Sequence, residues 1–115
     1  MSHGRKLFCM DRETFICDLG EGMVAMLRLD PARLRQDEGF LPVEFCGDGS
    51  LDSQQYRNLI WWLTDTLGTL ARTHEMRVWC ITAVANDYRW CETLTCFPSG
   101  RCECKMVNAG ELLRL

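Results

Sequence analysis

No run of apolar residues in this sequence approaches the roughly 20 that a membrane-spanning helix needs. The opening segment, Met1 to Met10, lacks the sustained apolar core and small-residue cleavage site of a secretory signal. Neither sign of charge dominates: 13 Lys+Arg stand against 16 Asp+Glu, for a formal charge of −3. That balance argues against a basic nucleic-acid binder and is too sparse in acid for a DNA mimic. P-loop, G-x-S-x-G, H-E-x-x-H and G-x-G-x-x-G motifs are all missing. The chain also contains no C-x2-C knuckle. What is present is a 115-residue chain, 47% hydrophobic, which suits a single globular domain over residues 1–115 and is too apolar for disorder. The expectation is a cytoplasmic protein.

Cysteine is the abundant exception, with eight: Cys9, Cys17, Cys46, Cys80, Cys91, Cys96, Cys102 and Cys104. Without a secretory signal these are expected to be reduced. Most sit in apolar strand-like runs such as LFCM, FICDL and VWCIT, where a free thiol packs as a small hydrophobe.

Three strand-like runs open the chain, at Lys6–Met10, Glu13–Leu19 and Met23–Leu29, separated by Asp11-Arg12 and by Gly20-Glu21-Gly22. Asp30-Pro31 offers an N-cap and a first helical residue for a short helix, Pro31 to Glu38, that Gly39 would stop. Pro42–Cys46 reads as another strand, and Gly47-Asp48-Gly49 as a loop. A long helix is expected from Ser53 to Glu75. Asp52 and Gln55 have the spacing of a capping box. Tyr56, Leu59, Ile60, Leu63, Leu67, Leu70 and Ala71 recur at three- and four-residue intervals and form one apolar stripe.

The last third reads as a meander. Arg77–Ala85 is apolar on both faces, with Val78, Cys80 and Val84 against Trp79, Ile81 and Ala83, as in a central buried strand. Asn86-Asp87 supplies a turn, Tyr88–Phe97 returns, Pro98-Ser99-Gly100 turns again, and Arg101–Val107 closes. In the closing strand Arg101, Glu103 and Lys105 alternate with Cys102, Cys104 and Met106, one wet face against one buried face. The order of strands, one dominant helix and more strands makes the fold α+β, a mainly antiparallel sheet packed on one long amphipathic helix. Asn108–Leu115 forms a short tail.

Metal and redox chemistry would draw on Cys91, Cys96, Cys102 and Cys104. Cys91 and Cys96 are an odd number of residues apart and point to opposite faces of a regular strand. Cys102 and Cys104 share a face, but about 6.6 Å of strand rise separates them. A zinc tetrahedron therefore fits poorly, and no metal or other cofactor is expected. A three-residue turn at Pro98–Gly100 would instead set Phe97 opposite Arg101 and Cys96 opposite Cys102, a pair able to oxidise or simply to pack. For catalysis, His3 and His74 are the only histidines, and no spacing ties either to a particular thiol.

Trp61 is the residue the amphipathic pattern does not absorb. It lies about 160° around the helix from Leu63, nearly opposite the buried stripe, while Trp62 lies on the flank at about 100°. Arg57, Asp65, Gly68 and Arg72 surround it on this outer face. A mid-helix glycine costs about 1 kcal/mol relative to alanine, so Gly68 beside Trp61 makes a hollow next to a bump. Tryptophan and arginine are enriched at binding hot spots. The face could alternatively be covered by the Pro31–Phe40 segment, by the tail Leu112-Leu113-Arg114-Leu115, or by a second copy of the chain.

The reading that follows is a non-enzymatic protein-binding module of the inhibitor, immunity-protein or adaptor type. Phage and mobile-element inhibitors of host defence complexes, anti-CRISPR proteins among them, share this size. Its partner would be another protein, or a second copy, met through Arg57, Trp61, Asp65, Gly68 and Arg72; no nucleic acid and no membrane is expected. The alternative is a cysteine-based zinc-binding or thiol-redox protein. Freshly purified protein is expected to carry no stoichiometric zinc, and chelator to leave its thermal midpoint unchanged. Zinc released together with loss of fold would overturn this, because a structural zinc contributes folding free energy directly.

Overall fold

Antiparallel pairing builds the first strands. In the computed structural model, residues 4–9, 12–47, 49–84 and 89–112 are described. The anticipated turn residues Asp11, Asn86 and Asp87, the loop residue Asp48, and residues 113–115 of the tail lie outside them. Strands β1 (Gly4–Cys9), β2 (Arg12–Gly20) and β3 (Met23–Leu29) pair antiparallel in sequence order. In β3 the residues Met23, Ala25, Leu27 and Leu29 are buried while those between them are not, the period of two that a half-covered sheet requires.

Helix α1 spans Pro31–Gln36, with Pro31 in its first turn and the Asp30 carboxylate accepting from the Ala32 N–H at 3.1 Å. It ends two residues before the expected Glu38, because Glu38 and Gly39 both turn to positive φ (55° and 88°). The Gly39 N–H then returns to the Leu34 carbonyl at 2.9 Å. Strand β4 (Val43–Cys46) completes a four-stranded sheet by pairing with β3. It starts one residue after Pro42, which has no N–H to give a ladder.

Helix α2 runs Ser53–His74 and is closed by Glu75 in the left-handed conformation at φ 54°. The capping box is present: the Asp52 carboxylate accepts from the Gln55 N–H at 2.7 Å, and the Gln55 side chain accepts from the Asp52 N–H at 3.0 Å. The Gln55 amide also donates to the Gly20 carbonyl at 2.8 Å, tying the helix start to the β2–β3 turn. Leu59, Leu63, Leu67, Leu70 and Ala71 are buried, whereas Tyr56 and Ile60 lie half-buried at the edges of the stripe.

A second, three-stranded antiparallel sheet follows: β5 (Val78–Val84), β6 (Trp90–Cys96) and β7 (Cys102–Asn108), with a short α3 (Ala109–Leu112) continuing into the tail. The architecture is thus α+β, two antiparallel sheets sharing one long helix. Helix α2 packs mainly on β2, β5 and β6. Its leucines share one buried cluster with Cys17, Ala25 and Leu27 from one sheet and Val78, Cys80, Leu94 and Cys96 from the other.

Three strand expectations need correction. Strand β5 is not central but lies at the edge of its sheet. Its outer side is covered by the segment after α1: the Trp79 N–H donates to the Gly39 carbonyl and the Leu41 N–H to the Trp79 carbonyl, both at 2.9 Å. The alternation within β5 also breaks. A bulge between Ile81 and Ala83 shifts the phase, so Thr82 rather than Val84 follows Cys80 inward, and Val84 is 48% exposed. The third correction concerns the face of Cys102, Cys104 and Met106, which is not buried throughout. Cys102 is half-buried, Cys104 exposed and Met106 58% exposed, because β7 is an edge strand beyond the main reach of α2.

Gly39 holds the two sheets together by having no side chain. A Cβ there would lie 2.0 Å from the Arg77 carbonyl oxygen, and the residue already occupies a φ that favours glycine. For the helix, Leu63→Ala is expected to cost about 2–5 kcal/mol in denaturant unfolding, the range for truncating a buried leucine. Arg57→Ala, at an exposed position, should change stability by about 0.5 kcal/mol or less. The reverse ranking would show that the helical phase is wrong.

Candidate functional site

The leucine stripe determines what α2 presents outward. Trp62, one residue past Trp61, is tucked in at 4% exposure, while Trp61 is 75% exposed, the largest exposure among the large apolar residues of the described chain. The Pro31–Phe40 segment does not cover it. That segment lies against β5 instead, where the Phe40 and Trp79 rings sit 4.7 Å apart.

Beside Trp61 runs a groove of about 530 Å³, with one wall from α2 and the other from the turn joining β6 to β7. The helix contributes Ile60, Trp61, Thr64, Asp65, Gly68 and Arg72; the turn contributes Gly100 and the start of β7 contributes Cys102. Four of the five residues anticipated from sequence therefore line one concavity. Arg57 is exposed one helical turn before Trp61 and lies outside it. Gly68 is buried at the groove's floor: beyond the helix's own backbone, a Cβ built there would have among the described residues only the Arg72 Nη1 within 4 Å, at 3.7 Å. Ile60 belongs to the apolar stripe by its spacing, and its half-buried position at the stripe's edge puts it in the groove wall. Thr64, Gly100 and Cys102 had no sequence signal as site residues, since only tertiary packing brings the hairpin beside the helix.

The hairpin is held by its own turn. The Gly100 N–H donates to the Phe97 carbonyl at 2.9 Å and the Phe97 N–H to the Arg101 carbonyl at 2.8 Å, with Gly100 at φ 96°. This is a three-residue loop with glycine at its left-handed position, and the Arg101 guanidinium lies 4.5 Å over the Phe97 ring. Cys96 consequently faces Cys102 in register, and their Sγ atoms are 2.9 Å apart. The Cys96 thiol also reaches the Thr64 carbonyl of α2 at 3.8 Å.

The remaining thiols spread apart. Cys17, Cys80, Cys91 and Cys96 are buried, whereas Cys46 and Cys104 are exposed. Among the described residues no three His, Cys, Asp or Glu side chains converge at ligand distance around a common point. Burial, followed by the neighbouring Cys104, pushes the Cys80 thiol up to about 12. Burial and the adjacent Cys102 push Cys96 up further still, and burial together with Asp18 raises Cys17. These thiols stay protonated at neutral pH, the opposite of what activates a nucleophilic cysteine.

A larger cavity, about 700 Å³, lies between α1 and β5. Two of its three arginines are paired with carboxylates, Arg28 with Glu44 at 3.1 Å and Arg33 with Asp37 at 3.5 Å. The buried Trp79 Nε1 has no hydrogen-bond partner among the described residues. The groove at Trp61 differs in that Arg57, Asp65 and Arg72 appear in no ion pair among the described residues.

No protein-family model matches the chain, and no curated protein or solved structure matches it, so the site is read from its own geometry. No helix among the described residues is long and apolar enough to cross a membrane.

The Cys80 shift makes stability pH-dependent. Below its ordinary value of 9.0 both folded and unfolded thiols keep their protons, and the contribution is fully present. Between 9.0 and about 12 only the unfolded thiol ionises, so stability is lost as pH rises through that window. Alkaline titration of the thermal midpoint is expected to show this fall, on the order of 1 kcal/mol per pH unit from this group. The fall should be shallower in Cys80→Ala, and an unchanged slope would contradict the assignment.

Proposed function

We propose that the protein works by binding another protein, without catalysis, through the outer face of α2, as an inhibitor, immunity protein or adaptor does. The observation that carries this reading is the 75% exposure of Trp61 beside a groove hollowed at Gly68. Leaving a tryptophan in water forgoes one of the largest burial gains any side chain offers, and a rigid aromatic anchor next to a pocket is the common form of an interface hot spot. Arg57 and Arg72 flank it on one face with Asp65 between them, and none of the three has an ion pair among the described residues. A fitting partner would place an apolar side chain over Gly68 and carboxylates opposite the two arginines.

The test compares stability with association. Trp61→Ala should leave the thermal midpoint nearly unchanged while weakening a purified partner by about 2 kcal/mol or more, roughly thirtyfold in Kd. Gly68→Leu should also block docking, because leucine favours the helix but fills the hollow. If the partner is a second copy, sedimentation will show a wild-type dimer that both changes convert to monomer. Severe destabilisation of a monomeric Trp61→Ala variant would show that the chain covers this tryptophan itself, and would end the docking reading.

A further inference from the structure

We propose that Cys96 and Cys102 form a reversible dithiol–disulfide site, and that a small-molecule disulfide of the glutathione type oxidises it by entering through the groove beside Trp61. Three independent features place the chemistry here. The first is register. Phe97 and Arg101 are the hydrogen-bonded pair that closes the turn, so Cys96 and Cys102 occupy the next, non-hydrogen-bonded pair. Facing Cα atoms at such pairs approach to about 4.5 Å, inside the window a disulfide spans. The two sulfurs are already 2.9 Å apart and need to close by less than about 1 Å to reach bonding distance.

The second feature is asymmetry. Cys96 is fully buried under α2, while Cys102 is half-exposed and lines the groove. A reagent arriving from solvent meets Cys102 first. The third is that, among the described residues, no other two cysteines face each other across a ladder. Cys80 and Cys104 lie on either side of Leu94, separated by the full width of β6, and Cys91 is on the opposite face from Cys96. The exposed Cys46 and Cys104 can accept an adduct but have no facing cysteine with which to resolve it.

The exchange balances as follows. Cys102, as its thiolate, attacks one sulfur of the small disulfide, a mixed disulfide forms, and one small thiolate leaves. The Cys96 sulfur then gives up its proton and attacks Cys102 Sγ, expelling the second small thiolate. The two cysteines lose two electrons and two protons in total, and one small disulfide becomes two small thiols. The bond spans only the Pro98–Gly100 turn, the short-loop case in which a cross-link constrains the unfolded chain least. Its consequence is therefore local. It removes the exposed thiol from the groove wall and ties the end of β7 to the strand that α2 covers. Any effect on partner binding rests on the docking reading above, but the disulfide does not.

The full chain, reduced and freed of reductant, would be equilibrated across a series of oxidised-to-reduced glutathione ratios. Free thiols would then be alkylated under native conditions and the bonds mapped by peptide mass spectrometry. The expected result is a Cys96–Cys102 bond that rises with the ratio and is lost again on adding dithiothreitol to the folded protein. Cys96→Ser, or Cys96→Ala if the serine is poorly tolerated, should accumulate a glutathione adduct at Cys102. Cys102→Ser should leave Cys96 unmodified. Absence of the bond across the whole series, its formation only after denaturation, or an adduct on Cys96 in Cys102→Ser would each overturn the proposal. Mapping needs no partner, so a failure here and a failure of the docking reading are told apart.

Discussion

Burying Leu59, Leu63, Leu67 and Leu70 on one side of a 22-residue helix leaves no freedom in where its other side chains point. Each fully buried leucine contributes about 1.5–3 kcal/mol. Turning the helix far enough to hide Trp61 would expose most of that stripe in exchange for one aromatic side chain. The leucines win, and the tryptophan stays in water. Gln55 reinforces the same rotation from the helix start, since one side chain both completes the capping box and bonds the Gly20 carbonyl of the β2–β3 turn. The candidate binding face is thus a consequence of core packing elsewhere, and its residues need not have been arranged by contacts among themselves.

The same helix reconciles two sheets that share no continuous ladder. Among the described residues the Gly39–Leu41 backbone bridges them, through two hydrogen bonds to Trp79, and the approach depends on there being no side chain at residue 39. That glycine also ends α1, so a single position both stops a helix and permits a junction. The hairpin of β6 and β7 is anchored on its inner side by Cys96 beneath α2, while its outer strand remains an edge. The groove exists where that overhanging strand and the helix flank diverge. The facing thiols lie at this point because the turn register puts them there.

Much of this architecture was legible in the chain. The capping box at Asp52 and Gln55, the start of α1 at Asp30-Pro31, and the extent of β3 all follow from local chemistry: a carboxylate that can accept from nearby N–H groups, a proline with φ already set, an alternation of period two. The register of Cys96 with Cys102 follows from the sequence only once the turn length is known, since a three-residue turn pairs them and a four-residue turn would not. The outward position of Trp61 also follows from helical geometry once the stripe is known. The bulge that carries Val84 outward has no such local mark, and neither does the exposure of Cys104 and Met106, whose alternation looks the same in a covered strand and an edge strand.

By itself, then, the sequence determined roughly where the seven strands, α1 and α2 fall, and the phase of α2. These depend on interactions between residues only a few positions apart, where sterics and hydrogen bonding leave few choices. Tertiary structure alone decided that there are two sheets rather than one, that β5 is an edge covered by Gly39–Leu41, and that Gly100 and Cys102 share a groove with Trp61. Those outcomes arise from contacts between segments tens of residues apart. Their relative placement is set by how the whole core closes, a sum over many side chains that no single spacing encodes.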